Sequence, residues 1–192
     1  TGRETELQMT QAPKAKKVVV VGSGPAGMEA ARAAALRGHR VVLFEKDNKP
    51  GGQLNISALP PNKADIFPWL DYLTAQLKKG GVDLRLGTAA TPEIVLAERP
   101  DAVILALGGI PAKPSIPGID GRIVATLQDV LSGKVEAGQR CAIIGGGLVG
   151  CETGHWLAVK GKTVVIVEML KHMAGEMGPM ARRRLLDGLR AH

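Results

Sequence analysis

The chain has 192 residues, a formal net charge of +7, 25 glycines and an aromatic complement of only 2 Trp, 2 Phe and 1 Tyr. A length of this order suits one domain or two small ones, and a hydrophobic share of 45% excludes wholesale disorder. No apolar run approaches the roughly 18 residues that cross a bilayer, the first seventeen residues carry no secretory signal, and the 2 cysteines form no C-x-x-C, which excludes a disulfide scaffold and leaves a reducing, cytoplasmic setting as the expectation.

In chain order, Val18–Val21 is a β-branched run of the kind found in a parallel strand buried on both faces. Gly22-Ser23-Gly24-Pro25-Ala26-Gly27 follows as G-x-G-x-x-G. The first glycine permits a tight turn, the second lets a pyrophosphate approach the backbone, and the third allows helix and strand to pack closely. Ala26–Arg37 reads as a helix, with Pro25 tolerated in its first turn and Gly38 as its stop. The helix N-terminus aims free N–H groups and the positive end of its dipole at the phosphates. Arg40–Phe44 returns as a strand and ends at Glu45, 23 residues after Gly22, where a carboxylate can accept bonds from ribose hydroxyls.

Lys46–Asn55 follows as a loop in which Gly51 and Gly52 can bring backbone close to a ligand and Gln53 and Asn55 offer amides. Ile66, Leu70, Leu73 and Leu77 recur at helical spacing before Gly80-Gly81, with Trp69 and Tyr72 expected as packing residues. Val82–Leu86 and Ala102–Leu107 read as strands, the second of them buried, closed by Gly108-Gly109. The proline-rich run Pro111–Gly118 reads as a crossover between domains, and Leu127–Leu131 as a short helix.

A second unit then repeats the first. Lys17–Lys46 aligns without gaps on Arg140–Met169, 123 residues later, with nine of thirty positions identical. Cys141–Ile144 is the strand, Gly145-Gly146-Gly147-Leu148-Val149-Gly150 the turn, Leu148–Lys160 the helix and Thr163–Val167 the next strand, ending at Glu168. A lone G-x-G-x-x-G is weak evidence, but each copy here follows a strand, opens a helix and has an acid at the expected distance. Two such units point to a dinucleotide at each and to electron transfer between them. Glu168 favours a free ribose 2′-hydroxyl, hence NADH in preference to NADPH, although Lys171 and His172 lie close by. A helix over Met180–Arg190 closes the chain.

Other chemistries find no support. Cys141 falls within a strand expected to be buried, and Cys151 on the second helix; neither is spaced for dithiol chemistry. His39, His155, His172 and His192 form no ligand pattern, so no metal is expected. There is no nucleophile elbow and no P-loop lysine, which fits a chemistry carried by cofactors. The basic clusters Lys14/Lys16/Lys17 and Arg182–Arg184 admit a nucleic-acid binder, but the few aromatics supply little stacking surface, and a solvated surface is the plainer reading.

The motifs GSGPAG, FEK, GGQLN, AVILALGG and GGGLVGCE, in that order, resemble the C-terminal region of the old-yellow-enzyme-related iron–sulfur flavoproteins. That group includes 2,4-dienoyl-CoA reductase, trimethylamine and histamine dehydrogenases and 2-enoate reductase. The resemblance covers nearly the whole chain and extends more distantly to glutathione-reductase-like flavoproteins. It implies an α/β fold of Rossmann-like parallel-sheet units, the second incomplete. It further implies a linker over residues 1–16 from an upstream TIM-barrel domain holding FMN and a 4Fe-4S cluster, Thr1-Gly2-Arg3-Glu4 resembling the segment after the last cluster cysteine. Residues 17–112 would be the first part of an FAD domain, 113–138 the crossover, and 139–192 the start of an NAD(H) domain. Gly22, Gly24, Ala26, Glu45, Lys46, Gly52, Gln53 and Leu54 would contact FAD, or ADP as in the amine dehydrogenases. Ala90 would lie near the adenine and Gly108 near the phosphates or flavin, while Gly147, Gly150 and Glu168 would serve NADH. The expected function is hydride transfer from NAD(P)H to FAD inside a larger enoate-reductase-like enzyme. The alternative is a nucleotide-binding structural module with no NADH oxidation. The chain is expected to be a piece of a longer protein, with homo-oligomerisation left open.

Overall fold

A computed structural model describes residues 2–192 apart from Glu4 and Leu7, so two members of the Thr1–Glu4 resemblance, Thr1 and Glu4, lie outside the described residues. The chain divides into two compact units. One comprises the residues up to Asn55 together with Asp65–Ile110; the other comprises Ile56–Ala64 and Pro111–His192.

The first unit is built from β1 (Lys17–Val21), α1 (Pro25–Leu36), β2 (Arg40–Phe44), the start of a short α2 (Leu54–Ser57), α3 (Ile66–Lys79), β3 (Asp83–Arg85), α4 (Pro92–Ala97) and β4 (Ala102–Leu105). The strands form one parallel sheet in the order β3-β2-β1-β4, with Val18–Val21 lying against Val41–Phe44 on one side and Ala102–Leu105 on the other. That order places the end of β1 at the centre of the sheet's C-terminal edge, where ligands of open α/β sheets bind.

Alternation along the strands sorts the core into two layers. Val18, Val20, Val41 and Leu43 pack with Met28 and Ala31 of α1 and with Leu70, Leu73 and Leu77 of α3. Val19, Val21, Val42 and Phe44 face the other way, with Val95 of α4. The helix over Pro92–Ala97 has no counterpart in the sequence reading. It starts at Thr91, whose hydroxyl accepts from the Ile94 amide, and its proline at the first helical position is pre-set for a helix.

Two expectations are corrected here. Ala102–Leu107 is not a buried strand: β4 ends at Leu105, and Val103, Leu105 and Leu107 are 42%, 69% and 71% exposed. Val103 and Leu105 lie beside Val19 and Val21, on the face that only α4 covers, and α4 reaches no farther than Val95 in the core. Trp69 and Tyr72 are not packing residues either, since Leu70, Leu73 and Leu77 form the inward stripe of α3 and both rings lie off it, exposed.

The second unit contains α5 (Leu127–Leu131), β5 (Arg140–Ile144), α6 (Leu148–Val159), β6 (Thr163–Val167) and α7 (Pro179–Arg190). β5 and β6 pair in parallel, Arg140 with Thr163 through Ile144 with Val167. One face packs on α6, where Ile143 is buried and the side chains of Ile143 and Ile166 lie against Gly154. On the other, Ile144, Val165 and Val167 are more than half exposed. Cys141 shares the α6 face with Ile143 but lies near the start of β5 and is half-buried rather than buried, whereas Cys151 is fully buried and its thiol donates to the Gly146 carbonyl. Gly188 of α7 sits against the imidazole of His155 on α6, with room for no side chain.

In each turn the third glycine is obligatory. A Cβ on Gly27 would stand 1.8 Å from the Gly22 carbonyl oxygen, and one on Gly150 would stand 1.9 Å from that of Gly145. Backbone cannot yield as a flexible side chain does. Gly27→Ala is expected to destabilise the chain by about 3 kcal/mol. Gly138→Ala, where a methyl meets nothing closer than 3.9 Å, is expected to stay within about 0.5 kcal/mol. Urea unfolding of both variants against the native chain checks this.

Candidate functional site

The first site forms where β1 runs into α1. Gly22 takes φ +98° and lies against the Ala106 carbonyl, close enough to exclude any side chain. Gly24 is the opposite case: a Cβ there would meet nothing within 4 Å. The second glycine of the turn thus faces open space at the N-terminus of α1, where Pro25 and Ala26 are exposed. Space in front of a helix N-terminus, bordered by backbone, is what a pyrophosphate requires.

Glu45 ties this turn to the end of β2. Its Oε2 accepts from the Ser23 amide at 2.8 Å and the Ser23 hydroxyl at 2.7 Å, and its Oε1 from the Asp47 amide at 3.0 Å. Glu45 is 6% exposed and Ser23 fully buried. Burial by itself would raise the carboxyl pKa, but the Asp47 amide, the Ser23 hydroxyl and the Ser23 amide outweigh it and hold the group below the usual glutamate range. The Lys46 amide lowers the pKa further, so both carboxylate oxygens are engaged by the turn and by the backbone that follows β2.

Two more segments reach the same edge. The Gly51 amide donates to the Ser23 carbonyl at 2.8 Å, and Gly52 lies against Gly24, a Cβ there falling 3.0 Å from the Gly24 Cα. Gln53 Nε2 donates to the Gly109 carbonyl at 2.7 Å, which joins the Gly51–Gln53 loop to the Gly108-Gly109 pair beyond β4. The Thr88 amide donates to the Glu45 carbonyl at 2.7 Å, and Ala90, two residues on, packs onto the second core layer. Lys46 is exposed and Leu54 half-buried against the first layer. Gly22, Gly24, Ala26, Glu45, Gly52, Gln53, Ala90 and Gly108 are therefore gathered at one sheet edge. Gly51, read with Gly52 as a pair that brings backbone close to a ligand, joins them, and so does Ser23, which no motif role singled out.

The second site repeats the arrangement. Gly146 donates to Glu168 Oε2 and Leu170 to Glu168 Oε1, both at 2.7 Å. These two backbone amides, Leu170 foremost, hold the Glu168 carboxyl below its usual range. Gly145 takes φ +103°, and Val149 is exposed in the first turn of α6. Lys171 and His172 are exposed just beyond Glu168. Lys63 pairs with Glu152 of α6 at 2.6 Å, a contact across 89 residues that no motif announces.

Comparison with known proteins identifies the duplicated arrangement. The model of the pyridine nucleotide-disulphide oxidoreductase family matches residues 16–192. The chain belongs to that family. It is 50% identical over 186 residues to an NADH oxidase of Thermoanaerobacter brockii, covering 94% of this chain and 29% of the relative. It is 46% identical over 186 residues to a bilirubin reductase of Mediterraneibacter gnavus (strain CC55_001C), covering 97% and 29%. The structure of a 2-naphthoyl-CoA reductase with 2-naphthoyl-CoA matches at TM-score 0.91 and 39% identity, over 95% of this chain and 28% of that one. The chain thus spans less than a third of the length of each. Among the described residues, no helix is long and apolar enough to cross a membrane.

The carboxylate tie has a pH signature. Because the native Glu45 carboxyl titrates below an unfolded glutamate, at about 4.3, its stabilisation is complete above that value and is lost as pH falls through the native pKa. Glu45→Gln is expected to cost roughly 2 kcal/mol near neutrality. The gap from the native chain should close as the pH drops below about 4. Urea unfolding at a series of pH values reads the difference directly.

Proposed function

We propose that this chain is the cofactor-handling part of a flavin-dependent NAD(P)H oxidoreductase, with FAD at the Gly22–Gly27 turn and a nicotinamide dinucleotide at the Gly145–Gly150 turn. The supporting observation is the duplication itself. In each unit a carboxylate at the end of the second strand is bonded to the residue between the first two turn glycines. The names of the relatives, an NADH oxidase and a bilirubin reductase, agree with a nicotinamide-driven flavoenzyme.

The bound cofactors would supply hydride donation and acceptance. The protein's own part is to bind and orient them. At the first turn, Gly24 leaves the space for the pyrophosphate, and the exposed Ala26 with Gly27 offers N–H groups and the helix dipole to it. Glu45 would hold the ribose at the end of β2, while Gly52, Gln53, Leu54 and Gly108 would hold the rest of the flavin dinucleotide and Ala90 its adenine. Lys46, exposed beside Glu45, is available to the same ribose and phosphates. At the second turn, Gly147, Leu148, Val149 and Gly150 serve the pyrophosphate. Glu168 favours NADH over NADPH, because a 2′-phosphate would meet its carboxylate.

In a larger enzyme, an upstream barrel beyond this chain would hold FMN and a 4Fe-4S cluster and supply the redox chemistry at the substrate. A cytoplasmic setting accompanies that reading. The purified chain is expected to bind FAD and show a visible flavin band that bleaches on addition of NADH. A colourless protein that releases ADP on denaturation would instead support a nucleotide held only for structure. Gly24→Ala is the sharper test, because its methyl enters open space at an ordinary backbone conformation. Stability should be unchanged by thermal unfolding, and flavin affinity should fall about tenfold or more.

A further inference from the structure

The repeat continues past the strands and acids into the loops that follow them, without a gap. The Gly51 amide donates to Ser23 O at 2.8 Å, and 123 residues later the Ala174 amide donates to Gly146 O at 2.7 Å. Both donors have positive φ, +114° at Gly51 and +48° at Ala174. By the same register Gln53 corresponds to Glu176, and Pro25, at the first position of α1, to Leu148 at the first position of α6.

Those two exchanges change what occupies the helix N-terminus. Pro25 has no amide hydrogen, and Gln53 turns away to donate to Gly109. In the second unit Leu148 does have an amide, and it donates to Glu176 Oε1 at 2.5 Å. The same oxygen stands 3.0 Å from where a Cβ on Gly147 would be, while the corresponding position at Gly24 is open. The Leu148 amide holds the Glu176 carboxyl below its usual range, against repulsion from Glu168. The rest of the segment is fastened over the turn: Ala174 is fully buried, and Arg182 Nε donates to the Met173 carbonyl at 2.7 Å.

We propose that Glu176 is a built-in competitor for the pyrophosphate at the second turn. Its carboxylate occupies the anion position at the N-terminus of α6 when no dinucleotide is bound, and it leaves when one binds. The inference rests on the reading of the Gly145–Gly150 turn as a dinucleotide site. Two anions cannot share one helix N-terminus without strong repulsion, so dinucleotide binding includes displacement of the segment that carries Glu176. The first turn, with a neutral glutamine at the matching position, has no such requirement. The consequence is a flavin site that stays open and a nicotinamide site that admits its ligand only against an internal rival.

NADH titration of the native chain, Glu176→Gln and Glu176→Ser, followed by nicotinamide fluorescence and by the backbone NMR resonance of Leu148, tests this without any turnover. Both variants are expected to bind NADH about tenfold more tightly than the native chain. The Leu148 resonance should shift on removal of the carboxylate and again on NADH addition, which locates binding at this turn. Equal or weaker affinity in both variants, with Leu148 still responding to NADH, overturns the competitor role and leaves the dinucleotide site standing. No NADH binding by any of the three proteins, or a Leu148 resonance that ignores it, overturns the dinucleotide reading and the competitor with it.

Discussion

A carboxylate at the end of a strand, accepting the backbone amide at the heart of a glycine turn, organises each half of this molecule. Glu45 holds Ser23, and Glu168 holds Gly146. The bond joins the second strand of each unit to the start of its first helix, so the helix N-terminus is fixed relative to the sheet edge. Everything proposed for the site depends on that placement, since a dipole and free amides attract an anion only where they point. The third glycine makes the placement possible by letting the helix descend onto the turn with less than a side chain's clearance.

The same frame carries different fillings in its two copies. In the first, four strands lie side by side and the loops after β2 and β4 are joined by Gln53 and Gly109. In the second, two strands pair and the loop after β6 closes over its own turn through Ala174 and Glu176. Gly22 is pressed against Ala106, while a Cβ on Gly145 would meet nothing within 4 Å. That contrast follows from the neighbour strand: β1 has β4 alongside it, and β5 has no such neighbour among the described residues. The apolar residues left exposed, Leu105 and Leu107 in one unit and Ile144, Val165 and Val167 in the other, lie where no described element packs.

Much of this was legible in the residues. The strand-turn-helix-strand units emerged with bounds close to those observed, because β-branched runs, glycine stops and alanine-rich stretches are local signals. The alignment of one unit on the other was legible too, and with it the pairing of each turn with its acid. Less legible was the use of Glu45 by the turn itself: a carboxylate at that spacing reads as a ribose partner, and only the fold brings Ser23 to it. Val103 and Leu105 misled for a related reason, since apolarity says that a residue should be covered but not whether anything within reach covers it. Trp69 and Tyr72 were misread because α3 needs one stripe of leucines and the rings fall beside it.

What the sequence determined by itself is therefore the repeated dinucleotide-binding unit, its order along the chain and its family, all of which rest on residue types at short, fixed separations. Only the tertiary structure decided which amide each carboxylate meets, which glycine faces open space and which anion stands at each helix N-terminus. Those depend on contacts between residues 22 to 28 positions apart, where a single sequence carries no distance information. The matching of Gln53 with Glu176 belongs to both. The register that relates them is in the sequence, and the opposite electrostatic roles appear only once the two loops are folded onto their turns.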